Sequence, residues 1–126
     1  MTGLTYDTGA LIAAERDDRL LWSLHRAAIR RGVTRTVPAA VLAQAWRGGP
    51  QANLSRLLRG CDVEPLDEQA GRAAGALCGA AGTSDVVDAT VVLGAVQRDD
   101  AVVTSDEADI RLLGRAAGRD LVIHSV

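Results

Sequence analysis

Short apolar runs alternate with longer amphipathic stretches along the whole chain. Residues 3–6, Gly3-Leu4-Thr5-Tyr6, are brief, partly β-branched or aromatic, and stop at Asp7, so they predict a buried strand. Residues 8–15 then read as a helix. A second helix is predicted over 19–31, where Leu20, Leu21, Leu24, Ala27 and Ala28 recur at helical spacing and Gly32 closes the segment. Val33-Thr34-Arg35-Thr36-Val37 alternates as a strand does, and Pro38 suits the first turn of a helix that continues over 39–47. Gly48-Gly49-Pro50 is a break. Beyond it come a short helix over 51–59, a short strand over 61–64 and an Ala-rich helix over 67–81. Gly71, Gly75 and Gly79 weaken that helix and, recurring every four residues, predict a face where another helix approaches closely. An apolar helix over 85–98, a strand over 101–104, a helix over 107–117 and a last strand over 121–124 complete the pattern.

Most gaps between the predicted strands are too long for hairpins and suit helical crossovers. The expected fold class is therefore α/β, a three-layer sandwich whose central, mostly parallel sheet of about five strands is covered by helices on both faces. No repeat, linker or low-complexity tract interrupts the pattern, so residues 1–126 are expected to form a single domain. The longest apolar run, residues 86–96, is broken by Asp88 and is too short to span a bilayer. Together with two cysteines at no metal-ligand spacing and no signal-peptide pattern, this predicts a cytoplasmic protein without membrane contact.

Composition narrows the chemistry. The chain has 14 Arg and no Lys, and its 16 acids are 12 Asp and 4 Glu. Without Lys there is no Walker A phosphate loop and no Schiff-base chemistry. The net charge of -2 conceals segregation: residues 19–61 sum to +8 with no acid among them, and residues 62–109 sum to -9. The cationic block could bind a polyanion and the acidic block a cation, or the two could neutralise each other across the fold.

The acids fall where a parallel sheet binds ligands, outside the carboxyl ends of its strands. Asp7 follows the first predicted strand and Asp106 the fourth, Asp85 and Asp88 open the apolar helix, and Asp109 lies one turn beyond Asp106. Asp88 stands among Val86, Val87, Val91 and Val92, where an unpaired carboxylate needs compensation. Helix capping explains each Asp separately, and Asp85-x-x-Asp88 and Asp106-x-x-Asp109 both have capping-box spacing. Capping does not predict that the acids converge, nor does it prevent the second carboxylate oxygen from binding a metal. An all-carboxylate site suits Mg²⁺ or Mn²⁺, which would activate water at a phosphodiester. Arg30, Arg31, Arg35 and Arg47, with Arg56 and Arg59, are the candidate RNA-phosphate contacts.

Four blocks carry a family resemblance. Residues 4–12 (Leu-Thr-Tyr-Asp-Thr-Gly-Ala-Leu-Ile), 37–48 (Val-Pro-Ala-Ala-Val-Leu-Ala-Gln-Ala-Trp-Arg-Gly), 85–89 (Asp-Val-Val-Asp-Ala) and 102–109 (Val-Val-Thr-Ser-Asp-Glu-Ala-Asp) resemble, in order, the motifs of PIN domains, particularly VapC-type ribonuclease toxins of toxin–antitoxin pairs. The resemblance implies a PIN fold, a Mg²⁺- or Mn²⁺-dependent endoribonuclease, a homodimer and a small VapB-like antitoxin partner. By motif position it makes Asp7, Asp88 and Asp106 the catalytic, metal-holding acids. Asp85 and Asp109 become supporting or alternative ligands, and Thr104 becomes a hydroxyl that supports the site. The chain departs from the family at Gln44, where an acid is usual; a Gln offers a carbonyl oxygen but no charge. The alternative reading is accordingly a weakened PIN-fold module that binds RNA or protein without cutting. A haloacid-dehalogenase-like phosphatase fits poorly, because Asp7 is followed by Thr8-Gly9 rather than by an Asp-x-Asp pattern and the Lys is missing.

Overall fold

A computed structural model describes residues 2–126. The elements run β1 (Leu4–Tyr6), α1 (Thr8–Glu15), α2 (Arg19–Arg31), β2 (Arg35–Pro38), α3 (Ala39–Ala45), α4 (Ala52–Arg59), β3 (Asp62–Glu64), α5 (Glu68–Ala81), α6 (Val86–Arg98), β4 (Ala101–Thr104), α7 (Glu107–Ala116) and β5 (Ile123–Ser125). The five strands form one sheet in the order β3-β2-β1-β4-β5, and every pairing is parallel. The α/β sandwich expected from the pattern is thus the observed architecture.

The strand order dictates the layers. The connections β1 to β2 and β2 to β3 step one way along the sheet, while β3 to β4 and β4 to β5 step the other. Right-handed crossovers then place α1–α4 on one face and α5–α7 on the other. The helix contacts follow this division, with α1 against α2, α3 and α4, and α5, α6 and α7 against one another, and α3 also meets α6. The reversal falls between β1 and β4, and in such sheets the crevice outside the carboxyl ends at that reversal is where ligands bind.

Several predicted boundaries shift for identifiable reasons. The strand predicted over 33–37 is observed as Arg35–Pro38, because Gly32 takes φ 67° and the Val33 N–H returns to the Ala28 carbonyl, which spends two residues on closing α2. The helix predicted to Arg47 stops at Ala45: Trp46 is extended, and the Gln51 side chain donates to the Ala45 carbonyl while accepting from the Arg47 N–H. The last strand lies at 123–125 rather than 121–124, since Leu121 packs beside Gly114 of α7 before pairing begins. The predicted close approach at Gly71, Gly75 and Gly79 is not observed: a Cβ at any of the three would meet nothing within 4 Å.

Each sheet face carries one partly buried polar assembly beside an aliphatic core. On the α5–α7 side, Arg98 of α6 donates from Nε to Asp100 Oδ2 at 3.0 Å, from Nη2 to Thr5 Oγ1 at 2.9 Å, and pairs through Nη1 with Glu64. Thr5 closes the ring by donating to Asp100 Oδ2 at 2.8 Å, so β1, β3, α6 and the residue just before β4 share one network. Gly94 leaves room for it, since a Cβ there would lie 2.7 Å from Glu64 Oε1. On the α1–α4 side, Tyr6 Oη and His25 Nδ1 share a hydrogen bond of 2.7 Å, Trp22 meets the imidazole edge-on at 5.5 Å, and Arg56 lies 4.1 Å from the Trp22 ring centre. Burial, and then the charges of Arg35, Arg26 and Arg56, lower the His25 pKa to about 4, so the ring is neutral at pH 7.

The segregated charges do not cancel. Among the described residues, no Arg of the 19–61 block pairs with an acid of the 62–109 block; Arg56 reaches back to Asp17, and the remaining bridges use Arg72, Arg98, Arg111 and Arg119.

Because unfolded His25 takes its proton near pH 6.5 and the folded ring only near 4, the unfolded state binds more protons between those values. Stability from this group is complete above pH 6.5 and is lost as the pH falls toward about 4. Urea unfolding at pH 7 and pH 5 should show the loss in the wild type and a smaller loss in His25→Gln; equal losses would remove His25 as the cause.

Candidate metal centre at the carboxyl edge of the sheet

Asp7 follows β1 directly and is buried, at 3% exposed. Its Oδ1 caps α1 by accepting from the Ala10 N–H at 2.8 Å, and its Oδ2 accepts from the Thr104 hydroxyl at the end of β4. Thr104 Oγ1 in turn accepts from the Asp106 N–H at 2.8 Å. Burial raises the Asp7 pKa and the negative charge of Asp106 adds to the rise, while hydrogen bonds from Thr104, Ala10 and Gly9 counter it. The first turn of α1 abuts the β4–α7 turn so closely that a Cβ on Gly9 would lie 1.8 Å from Ser105 Oγ and 2.8 Å from Ser105 Cβ. Rotation of the serine cannot relieve the second contact, so this junction requires glycine.

The other acids arrive from α6 and α7. Asp85 caps α6, its Oδ1 accepting from the Asp88 N–H at 3.0 Å. Asp88, in the first turn of α6, is half-buried, and its pKa is pushed up to about 7 by burial, then by Asp85, then by the charges of Asp7 and Asp106. Asp106 makes no side-chain cap for α7, although its position in the sequence suits one. Its carboxylate instead engages that of Asp109, whose pKa it raises. Oxygens of Asp85, Asp88 and Asp109 lie within 4.8 Å of one another. Five aspartates, from the end of β1, the start of α6, the β4–α7 turn and the first turn of α7, therefore gather at the sheet reversal. None of the five is paired with an Arg among the described residues.

The residues singled out in the sequence fall into two groups. Asp7, Asp85, Asp88, Asp106, Asp109 and Thr104 are brought together. The trio in mutual ligand reach contains Asp88 but not Asp7 or Asp106; both Asp7 oxygens accept hydrogen bonds, from Ala10 and Thr104. Gln44 reaches the rim from α3, where its Oε1 accepts from the Thr8 hydroxyl at 2.6 Å. The arginines are dispersed. Arg30 and Arg31 end α2, at the amino edge of the sheet and so opposite the acids. Arg35 donates to the Gly60 carbonyl at 2.7 Å and the Val33 carbonyl at 2.6 Å. Arg47 alone of these four follows the helix that carries Gln44. Sequence reasoning missed Thr8, Gly9 and Ser105; the only signal was a glycine in the first turn of a helix, where it has no intrinsic advantage.

An all-oxygen, uncompensated carboxylate set has the chemistry of a site for a hard divalent cation, which would offset the crowding that raises these pKa values.

No family model and no curated protein matches the sequence. Solved structures do match in fold. The VapBC2 complex of Rickettsia felis bound to a fragment of its promoter DNA aligns over 98% of this chain and 98% of its own, at 14% identity and a TM-score of 0.65. DNA-bound VapBC from Salmonella typhimurium aligns over 99% of this chain and 98% of its own, at 18% identity and 0.65. A FitAB complex bound to a DNA fragment aligns over 97% and 94%, at 14% identity and 0.65. The fold of this chain is the PIN-like fold that the motifs suggested.

Asp88 yields a test of the charge crowding. Its raised pKa favours the folded state only while it is protonated, so stability falls as the pH rises from about 4 through about 7 in metal-free protein. At pH 8 without metal, Asp88→Asn should stabilise on the order of 1 kcal/mol, discounted for solvent screening. Added Mg²⁺ should raise the melting temperature of the wild type more than that of the variant. Thermal melts with and without metal check both expectations.

Proposed function

We propose that this protein is a Mg²⁺- or Mn²⁺-dependent endoribonuclease and the toxin of a toxin–antitoxin pair. The observation that carries the reading is the gathering of five aspartates at the reversal of a parallel sheet, Asp85, Asp88 and Asp109 in mutual ligand reach with Asp7 and Asp106 close enough for their charges to act on Asp88. In this reading Asp7, Asp88 and Asp106 hold the metal, and Asp85 and Asp109 support it or supply alternative oxygens. When bound, the metal lowers the pKa of a water and screens the charge that develops on the phosphate.

The chain's own residues supply position. Thr104 holds Asp7 in one orientation, while its bond from the Asp106 N–H fixes the start of α7 relative to β4. Asp88, poised near neutrality, can release its proton as positive charge arrives. Water is the nucleophile in this scheme: its oxygen joins phosphorus and the departing sugar oxygen leaves as a hydroxyl. Protein nucleophiles are poor candidates, since burial pushes the Cys61 thiol up to about 12, Cys78 is buried, and His25 is engaged by Tyr6. A small antitoxin and a homodimeric assembly belong to the same reading, supported by the fold shared with the VapBC and FitAB complexes.

A second reading, a PIN-fold module that binds without cutting, is favoured by Gln44. It brings no charge, and its amide oxygen already accepts from Thr8.

Incubation of purified protein with RNA should give cleavage in Mg²⁺ or Mn²⁺, none in chelator, and a loss of about 100-fold or more in Asp7→Asn. Cleavage that survives both chelator and the substitution would overturn the nuclease mechanism. Absence of metal binding at millimolar concentration in calorimetry, together with salt-sensitive RNA binding, would favour the module.

A further inference from the structure

The acidic edge poses a problem for the substrate proposed above. A phosphodiester carries negative charge, and the five aspartates that would meet it have no arginine partner among the described residues. Most candidate cations are elsewhere or occupied: Arg30 and Arg31 end α2 at the opposite edge, Arg35 is bonded to two carbonyls, and Arg56 covers Trp22. A hydrogen-bond donor at the rim would let a phosphate approach, and the rim holds one that needs no positive charge.

Thr8 immediately follows Asp7 and donates its hydroxyl to Gln44 Oε1 at 2.6 Å. That bond commits the oxygen end of the carboxamide. The nitrogen end carries two N–H groups, makes no hydrogen bond among the described residues, and belongs to an exposed side chain. As a cation ligand, an amide oxygen already accepting a short hydrogen bond is outcompeted by neighbouring carboxylates. As a donor, the amide nitrogen is uncommitted, whereas Arg47, just beyond α3, gives its Nη1 to the Ala43 and Trp46 carbonyls.

We propose that Gln44 is a substrate-positioning residue, its Nε2 donating to a non-bridging oxygen of an RNA phosphate at the acidic edge, with the Thr8 hydroxyl holding the amide in that orientation. This rests on the ribonuclease reading, but it gives Gln44 a role other than that of a weakened metal ligand.

The two roles separate in Gln44→Glu. That change keeps an acceptor for Thr8, so the local structure is preserved, but replaces both N–H donors with a carboxylate oxygen. Two affinities are measured on purified full-length protein: Mn²⁺ alone by calorimetry, and a short fluorescein-labelled oligoribonucleotide in EDTA at low salt by anisotropy. Gln44→Glu is expected to lose RNA affinity by about tenfold or more and to bind Mn²⁺ at least as tightly as wild type. Gln44→Ala should lose RNA affinity with Mn²⁺ affinity unchanged, and Thr8→Val should lose RNA affinity severalfold. Unchanged or tighter RNA binding by Gln44→Glu, a Mn²⁺ affinity that falls in Gln44→Ala, or the absence of RNA binding by the wild type would each overturn the proposal. Failure of wild-type cleavage with Mn²⁺ would instead remove the ribonuclease reading and leave these binding results standing.

Discussion

The carboxylate of Asp7 is the joint on which the rest of this structure turns. A carboxylate this deeply buried is costly unless its oxygens are satisfied, and here one is taken by the amino end of α1 and the other by the Thr104 hydroxyl. The first bond ties β1 to α1 and the second ties β1 to β4. Thr104 extends the connection through the Asp106 N–H to the start of α7. Gly9, where even one added carbon would strike Ser105, shows how tightly these parts meet. Loosening the joint would separate the two acids that lie closest to the sheet reversal.

Charge is handled in two opposite ways within one small molecule. At Arg98 the carboxylates of Glu64 and Asp100 surround a guanidinium and a hydroxyl, and the network joins two strands to a helix. At the carboxyl edge the carboxylates surround no cation: burial, with the neighbouring negative charges added to it, raises the pKa values of Asp7 and Asp88, and Asp106 raises that of Asp109. The first arrangement serves the fold. The second is tolerated at a cost to stability, which is the usual mark of residues kept for binding or chemistry.

How much of this could be read from the chain alone follows from where the signals are local. Strand-helix alternation, the Asp caps at Asp7 and Asp85, and the Gly32 stop are written in adjacent residues, and the elements appear close to where the pattern places them. Ends governed by distant partners were illegible: α3 stops where Gln51 intercepts the Ala45 carbonyl, and β5 starts late because Leu121 packs on Gly114. The convergence of aspartates could be anticipated from the rule for parallel sheets, but their division of labour could not. Asp85 and Asp106 share one spacing, yet only Asp85 caps its helix. The arginine block misled for the same reason: contiguity in sequence says nothing about which end of the sheet a helix terminus reaches.

The strand order has a consequence for the chain while it is being made. The hydroxyl that holds Asp7 is made 97 residues after it, and Asp109 comes later still. The central strand β1 can pair with β2 early, but its other neighbour, β4, exists only after both α5 and α6 have been synthesised and have crossed the sheet. Contacts of such long sequence separation form late, since the loop entropy must be spent before they contribute. A nascent or truncated chain ending before β4 therefore carries Asp7, Asp85 and Asp88 but no assembled acidic edge. Synthesis itself delays the completion of the site until β4 and the start of α7 have been made.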